Sequence, residues 1–255
     1  MSRPLISDIP SEVAIRTSRV SGITKRSALG HSDAVGTNLR PLYHDHNTGD
    51  LAIAALLATP AVVKISSTSG NDAVAQSGAL TVNVIGVDEN GVAATEAVIL
   101  TGQTAVTTTT LFKAVEKIQV TSAGATGSNE GVIWAGTGTV TAGVPATKYN
   151  SVEIGTNVSA LCLIVVPAER EFLASQLSIF SGDTSKLLNF QFYQYSAATG
   201  LWYEAFDVHG KQSDLVLPVS GHPPLVAGDA VMLRVNVDTS TAIITASIVG
   251  YTYEV

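Results

Sequence analysis

The sequence predicts an all-β protein: an antiparallel β-sandwich of jelly-roll type, in one or two lobes, with an extended N-terminal arm and one short helix. Three observations predict this. Short runs alternate apolar and polar residues, as in "LTVNV", "LLNFQF", "VMLRVNV" and "IITASIV", which is the period of a strand with one covered and one wet face. Turn residues punctuate those runs, Asp88-Glu89-Asn90-Gly91 being the clearest, because Asn-Gly suits a tight hairpin. Charged residues make up only 14% of the 255, against about 25% in an ordinary soluble domain. Part of the surface is therefore expected to be covered by neighbours.

Taken in order, residues 1–47 show neither a sustained helical nor a sustained strand period, and read as an extended basic arm. Residues 48–60, "TGDLAIAALLATP", read as a short helix or linker, with Asp50 as cap, Leu and Ala as good formers and Pro60 as the stop. Residues 61–143 form a first β lobe and 144–255 a second, with one continuous domain over 61–255 as the alternative. In the strands, Leu80, Val82 and Val84 are expected to face inward against Thr81 and Asn83. The same holds for Leu188, Phe190 and Phe192; for Val231, Leu233, Val235 and Val237; and for Ile244, Ala246 and Ile248. The Gly- and Thr-rich stretch 134–151 reads as the connection between the two β halves.

Charge is unevenly spread. Residues 1–40 hold six basic residues (Arg3, Arg16, Arg19, Lys25, Arg26, Arg40) and three acids (Asp8, Glu12, Asp33), near +3. The total is −7, so the remainder stands near −10. A basic arm on an acidic body predicts a segment that reaches onto a partner, and those six residues are the candidate partner-binding set. The acidic body disfavours nucleic acid. The longest apolar run, Leu51–Val63, contains Thr59 and Pro60 and falls short of the roughly 18 residues of a membrane span. The first residues show no apolar core before a small-residue cleavage site, so no secretory leader is expected. The single cysteine, Cys162 in "ALCLIVV", is expected to be a small core residue and leaves no internal disulfide framework.

Few residues suggest chemistry. There is no phosphate-loop pattern and no GxSxG elbow. His44 and His46 in "YHDHN" point to one side of an extended segment and could share a metal, but two imidazoles make an incomplete site. Glu204, Asp207 and Asp214 could supply a carboxylate pair, which spacing alone does not distinguish from a solvated sheet face. Tyr193, Tyr195, Trp202 and Tyr203 could stack on a sugar, or divide between core and rim. No cofactor is implied and no enzyme is expected.

The stretch from Val63 to Gly136 resembles a segment of virion structural proteins of tailed bacteriophages, especially marine and cyanobacterial ones. The residues carrying the resemblance are Ser66-Ser67, Asp72-Ala73, Gly78, Gly86, Asp88, Gly91, Glu96, Gly102-Gln103-Thr104 and Phe112. They continue with Ala123-Gly124, Gly127, Asn129, Gly131 and Ile133. "VPAEREFLASQLSIF", "GLWYEAF" and the closing residues 224–255 are similar to the C-terminal strands of the same proteins, with Glu169 standing where their turn has Gly. The resemblance implies a virion location, with assembly in the host cytoplasm and no enzymatic activity. It also implies a symmetric homo-oligomer, such as a trimer, and other virion proteins as partners, the major capsid protein among them. A capsid decoration or cement protein anchored by its arm is the leading expectation. A tail, collar or fibre component is the second, and a carbohydrate-binding sandwich the third.

Overall fold

The computed structural model describes residues 22–43, 56–182, 185–211, 214–219, 223–239 and 241–255. Among them there are strands and turns and no helix. Every strand pairing is antiparallel.

The expected arm begins to fold much sooner than its composition suggests. Ile23–Val35 forms β1, and Arg40–Pro41 a short β2. β1 pairs along its length with the last strand of the chain, so an arm can extend no further than residue 21. Local pattern missed this because a strand that pairs with the far end of the sequence needs no local partner. The expected helix is also corrected where it can be seen: residues 56–60 open the strand β3, Leu56–Ser67, while 48–55 lie outside the described residues. Leu and Ala favour helix only weakly, and pairing with a neighbouring strand overrides them.

The chain then forms β4 (Ala79–Asp88), β5 (Ala93–Ile99), β6 (Val106–Ala123), β7 (Ile133–Thr141) and β8 (Val144–Val152). With β3 they make one six-stranded sheet in the order β5-β4-β6-β3-β7-β8. Asn90-Gly91 closes the β4–β5 hairpin as expected: Gly91 takes φ 78, and Asp88 Oδ1 accepts from the Asn90 and Val92 N–H groups. Residues 134–151, expected as a connection, are instead the β7–β8 hairpin. Ala142 and Gly143, at φ 49 and 79, supply the two positive angles of a tight two-residue turn, and Val and Thr suit the flanking strands. The hairpin keeps residues 144–152 with the first sheet.

This sheet encloses a core on one face, with Val63, Ile65, Val82, Val84, Phe112 and Ile118 fully buried. Repeated register shifts between β4 and β6 let it curl over that core. One shift, at Ala79/Thr81, puts Ala79 into the core in place of the expected Leu80.

The second half is the expected sandwich. β9 (Leu163–Val165), β10 (Arg170–Ser181), β11 (Leu188–Ser196), β12 (Leu201–Gly210), β13 (Asp214–Pro218), β14 (Ala230–Val237) and β15 (Ala242–Glu254) divide between two sheets. One has the order β1-β15-β10-β13; the other is β12-β11-β14-β2, with β9 also on β14. Between them lie Phe190, Phe192, Leu233, Val235, Ile244 and Ile248, as the alternation predicted, together with Cys162. Burial pushes the Cys162 thiol up to about 12, so it is packing and no nucleophile.

A third apolar cluster joins the two halves. Ala230, Met232, Leu163 and Val165 from the sandwich meet Val87, Ala114 and Trp134 from the six-stranded sheet. β14 is thus covered on both faces, Val231, Leu233 and Val235 turning one way and Ala230 and Met232 the other. The layers run six-stranded sheet, β14 sheet, β15 sheet, and the β15 sheet is outermost.

Candidate functional site

Three places gather polar residues: the loop end of the six-stranded sheet, the seam between the two halves, and the β12 face. The first contains most of the residues that carry the resemblance. Asp72 is fully buried in the loop after β3. Its carboxylate accepts from Ser67 Oγ (2.5 Å), Ala79 N (2.8 Å), Glu130 N (2.9 Å) and Gly131 N (2.8 Å). Its own carbonyl accepts from Gly102 N at 2.8 Å, and the Gly102 carbonyl from Ser67 N at 2.9 Å. Gln103 Nε2 donates to Thr68 O, Gly124 N to Gly78 O, and Asn129 Nδ2 to Gly131 O and Glu153 O. Three loops far apart in sequence are therefore tied at Asp72, two through its carboxylate and the Gly102 loop through its main-chain carbonyl. Gly78 is dictated by that closeness, since a Cβ there would lie 2.2 Å from Asp72 Oδ1. Glu96 does similar work at the other end, accepting from Thr109 N and Thr110 N at 2.8 Å each. Burial pushes its pKa up, but these hydrogen bonds outweigh that and hold it below the usual carboxylate value.

Such a knot has no reactive capacity left. Four donors saturate the Asp72 oxygens, so the group fixes loops and offers nothing to a substrate. Ser67, Asp72, Gly78 and Gly131 of the motif are requirements of the backbone path.

The turn at Glu169 fits the same account. Glu169 holds φ 57, in the left-handed region that favours Gly. A side chain in this region costs on the order of 1 kcal/mol. Glu169→Gly is accordingly expected to raise the urea midpoint by about 0.5–1 kcal/mol equivalent, read by circular dichroism.

The seam is built around Glu116 of β6. Its carboxylate takes Arg26 Nη2 at 2.9 and 2.7 Å and Val165 N at 2.7 Å, while Arg26 Nη1 donates to Val165 O at 2.9 Å. Burial pushes the Glu116 carboxyl above its ordinary range, against the Arg26 charge and the Val165 N–H, which pull it down. β6, β1 and β9 are thereby clasped together beside a cavity of about 310 Å³, lined partly by Leu29, Ile85, Leu161 and Leu163. Glu116 was not singled out by sequence: an acid between Val115 and Lys117 looks like any solvated strand residue.

The candidate partner-binding residues are dispersed. Arg3, Arg16 and Arg19 lie outside the described residues, as do His44 and His46. Arg26 is committed to Glu116. Arg40 donates to Ser32 Oγ and Ala34 O and stacks over Tyr43. Both are held within their own chain, because β1 and β2 are strands of the body. Lys25 is exposed on β1. Among the described residues no three His, Cys, Asp or Glu side chains come together as metal ligands would.

The β12 face does not form a platform. Tyr195 and Trp202 tilt against each other at 5.4 Å and pack on the cluster joining the halves. Tyr193 lies under Arg234, and Tyr203 turns outward to Thr199. Asp207 pairs with His209 at 2.6 Å on the surface, and Glu204 is exposed on the same strand beyond a register shift.

No family model matches the chain, and no curated protein does. Among solved structures, a chain of infectious bursal disease virus, Gt strain, aligns over 96% of this chain and 82% of its own at 10% identity, with a TM-score of 0.20. The VP2 subviral particle of infectious bursal disease virus aligns over 92% and 82% at 9% identity, with a TM-score of 0.13. At such scores the chains do not superpose as one fold, and the likeness assigns neither architecture nor role.

Proposed function

We propose that the protein is a non-enzymatic structural component of a virion, a rigid β module that works by shape and assembles as a symmetric homo-oligomer. The observation that carries this reading is the Asp72 knot. Ser67, Asp72 and Gly131, among the residues that carry the resemblance to tailed-phage virion proteins, serve the loop paths and no chemistry, which supports reading the resemblance as one of architecture. A capsid decoration or cement protein is the specific form proposed, with residues 1–21, which carry Arg3, Arg16 and Arg19, as the segment that reaches the major capsid protein.

Copy number in purified particles tests the assignment. Hundreds of copies per particle are expected; a handful would move the protein to the tail, collar or fibre, and none would end the virion reading. Deleting residues 1–21 leaves β1 and its ladder in place. The truncated protein is expected to stay folded and to lose incorporation into particles. Normal incorporation would overturn the anchoring role.

A further inference from the structure

The outermost sheet carries an outer face that ordinary surface chemistry does not account for. Leu29 of β1, Leu173 and Phe180 of β10, Val216 of β13 and Ile243 of β15 are 53, 40, 46, 55 and 51% exposed, Leu29 at the sheet's edge also bordering the seam cavity. Leu29, Leu173, Phe180 and Ile243 alternate with buried neighbours and Val216 with the half-buried Leu215 and Leu217, so all five point away from the sandwich core. Scattered exposed apolar residues are ordinary, whereas five on the outer face of a single sheet, spread over its length, mark an interaction surface. Four strands of 13, 13, 12 and 5 residues cover on the order of 700 Å² in plan. That is close to one partner's share of a standard interface, about 800 Å².

The register identifies what covers it. Leu29 stands opposite Ser247, Ser247 opposite Ser178, and Ser178 opposite Val216, so these four form one row straight across the sheet. A two-fold axis laid along that row would set Leu29 against Leu29 and Val216 against Val216 of a second copy, with the small serines between them. Four residues to either side of Leu29 on the same face stand Lys25 and Asp33, the Asp33 carboxylate lying 2.8 Å from His31 Nε2 of its own chain and keeping lone pairs for a second donor. The two-fold operation reverses strand direction, so Lys25 of each copy meets Asp33 of the other. On the neighbouring strand the same operation brings Tyr251 onto Ile243, which lie four residues on either side of Ser247. Small residues at the row's centre, apolar residues at its two ends and opposite charges at equal distances make the face complementary to itself, with Gln176, His31 and Thr245 as polar groups between them. Packed sheets cross at about 30°, which displaces the ends of so short a row by only a few Å.

We propose that this face is the contact between two copies of the chain, related by a two-fold axis along the Leu29–Val216 row. The proposal rests on the homo-oligomer part of the function given above and adds the surface, the symmetry and the charge pair. Dimerisation is read in the purified protein and copy number in particles, so either can fail without the other.

The test uses the full chain. Sedimentation velocity from 1 to about 100 μM is expected to show a dimer. Val216→Asp, at an exposed position, is expected to keep the fold by circular dichroism and to weaken the dimer on the order of 100-fold or more, because it sets two carboxylates against each other. Lys25→Asp and Asp33→Lys are each expected to weaken it about tenfold, and the double variant to return to within a few-fold of the parent. Leu29→Cys is expected to give a covalent dimer with a short bis-maleimide that spans about 8 Å, because facing sheets lie about 10 Å apart, while Val92→Cys, exposed on the β4–β5 turn, does not; the buried Cys162 stays out of the reaction. A monomer at all concentrations, an odd-numbered oligomer, an assembly indifferent to Val216→Asp, or equal crosslinking of the two cysteine variants overturns the proposal.

Discussion

Asp72→Ala is expected to remove on the order of 3–6 kcal/mol of stability, a large share of the 5–15 kcal/mol that holds a typical domain. Three backbone N–H groups, of Ala79, Glu130 and Gly131, end on that carboxylate. Truncation would leave them without it in a fully buried place, and each orphaned donor costs about 1–3 kcal/mol. The Ser67 hydroxyl loses its acceptor as well. Asp72→Asn keeps the shape but turns one oxygen into an NH₂ group facing N–H donors, so it is expected to recover less than half of the loss. Urea unfolding followed by circular dichroism, compared with Asn71→Ala in the same loop, measures both. A loss under 1 kcal/mol for Asp72→Ala would mean that the loops hold their paths without the knot.

The second large effect lies at the seam. Glu116→Ala strands the Arg26 guanidinium, whose side chain is 24% exposed. Breaking a buried pair costs about 3–5 kcal/mol, and the partial exposure of Arg26 puts the expected loss near 3. Replacing both partners, as Arg26→Met with Glu116→Leu, is expected to return stability to at least the parent value, since an apolar pair removes two desolvation costs together. The pH dependence has a definite sign. Burial raises the Glu116 pKa in the folded state, so the folded protein binds more protons than the unfolded chain above the ordinary glutamate value of 4.5. Its contribution is then fullest below that value and is lost as pH rises through the raised one. Glu116→Gln, which does not titrate, is expected to flatten this decline. A parent whose stability climbs over the same window relative to Glu116→Gln would show that the Arg26 charge outweighs burial.

Alternation along single strands settled much of the architecture before any contact was known. Phe190, Phe192, Leu233, Ile244 and Ile248 face one core because a strand has a strict period of two. Asn90-Gly91 turns where it should because only certain residues accept positive φ cheaply. Where a bulge intervened the reading slipped by one, as at Ala79 and Leu80, since a bulge reverses every side chain beyond it without an unambiguous mark in the sequence. The string of Ser, Asp, Gly and Asn from 66 to 131 was visible as a motif, but its meaning was not. That meaning lies in hydrogen bonds between distant residues, 59 positions apart from Gly131 to Asp72 and 77 from Ser66 to Gly143.

The sequence by itself determined the fold class, the hairpin at residues 88–91, the inward set of the sandwich strands and the burial of Cys162, because each follows from local periodicity, local turn chemistry or the surrounding run of apolar residues. Only the tertiary structure decided that residues 23–35 belong to the body, that Arg26 is held by Glu116, and that five exposed apolar side chains share one outer face. These depend on which distant strands lie side by side, and the free energy that chooses among such pairings comes from burial and hydrogen bonds made after the chain has closed on itself.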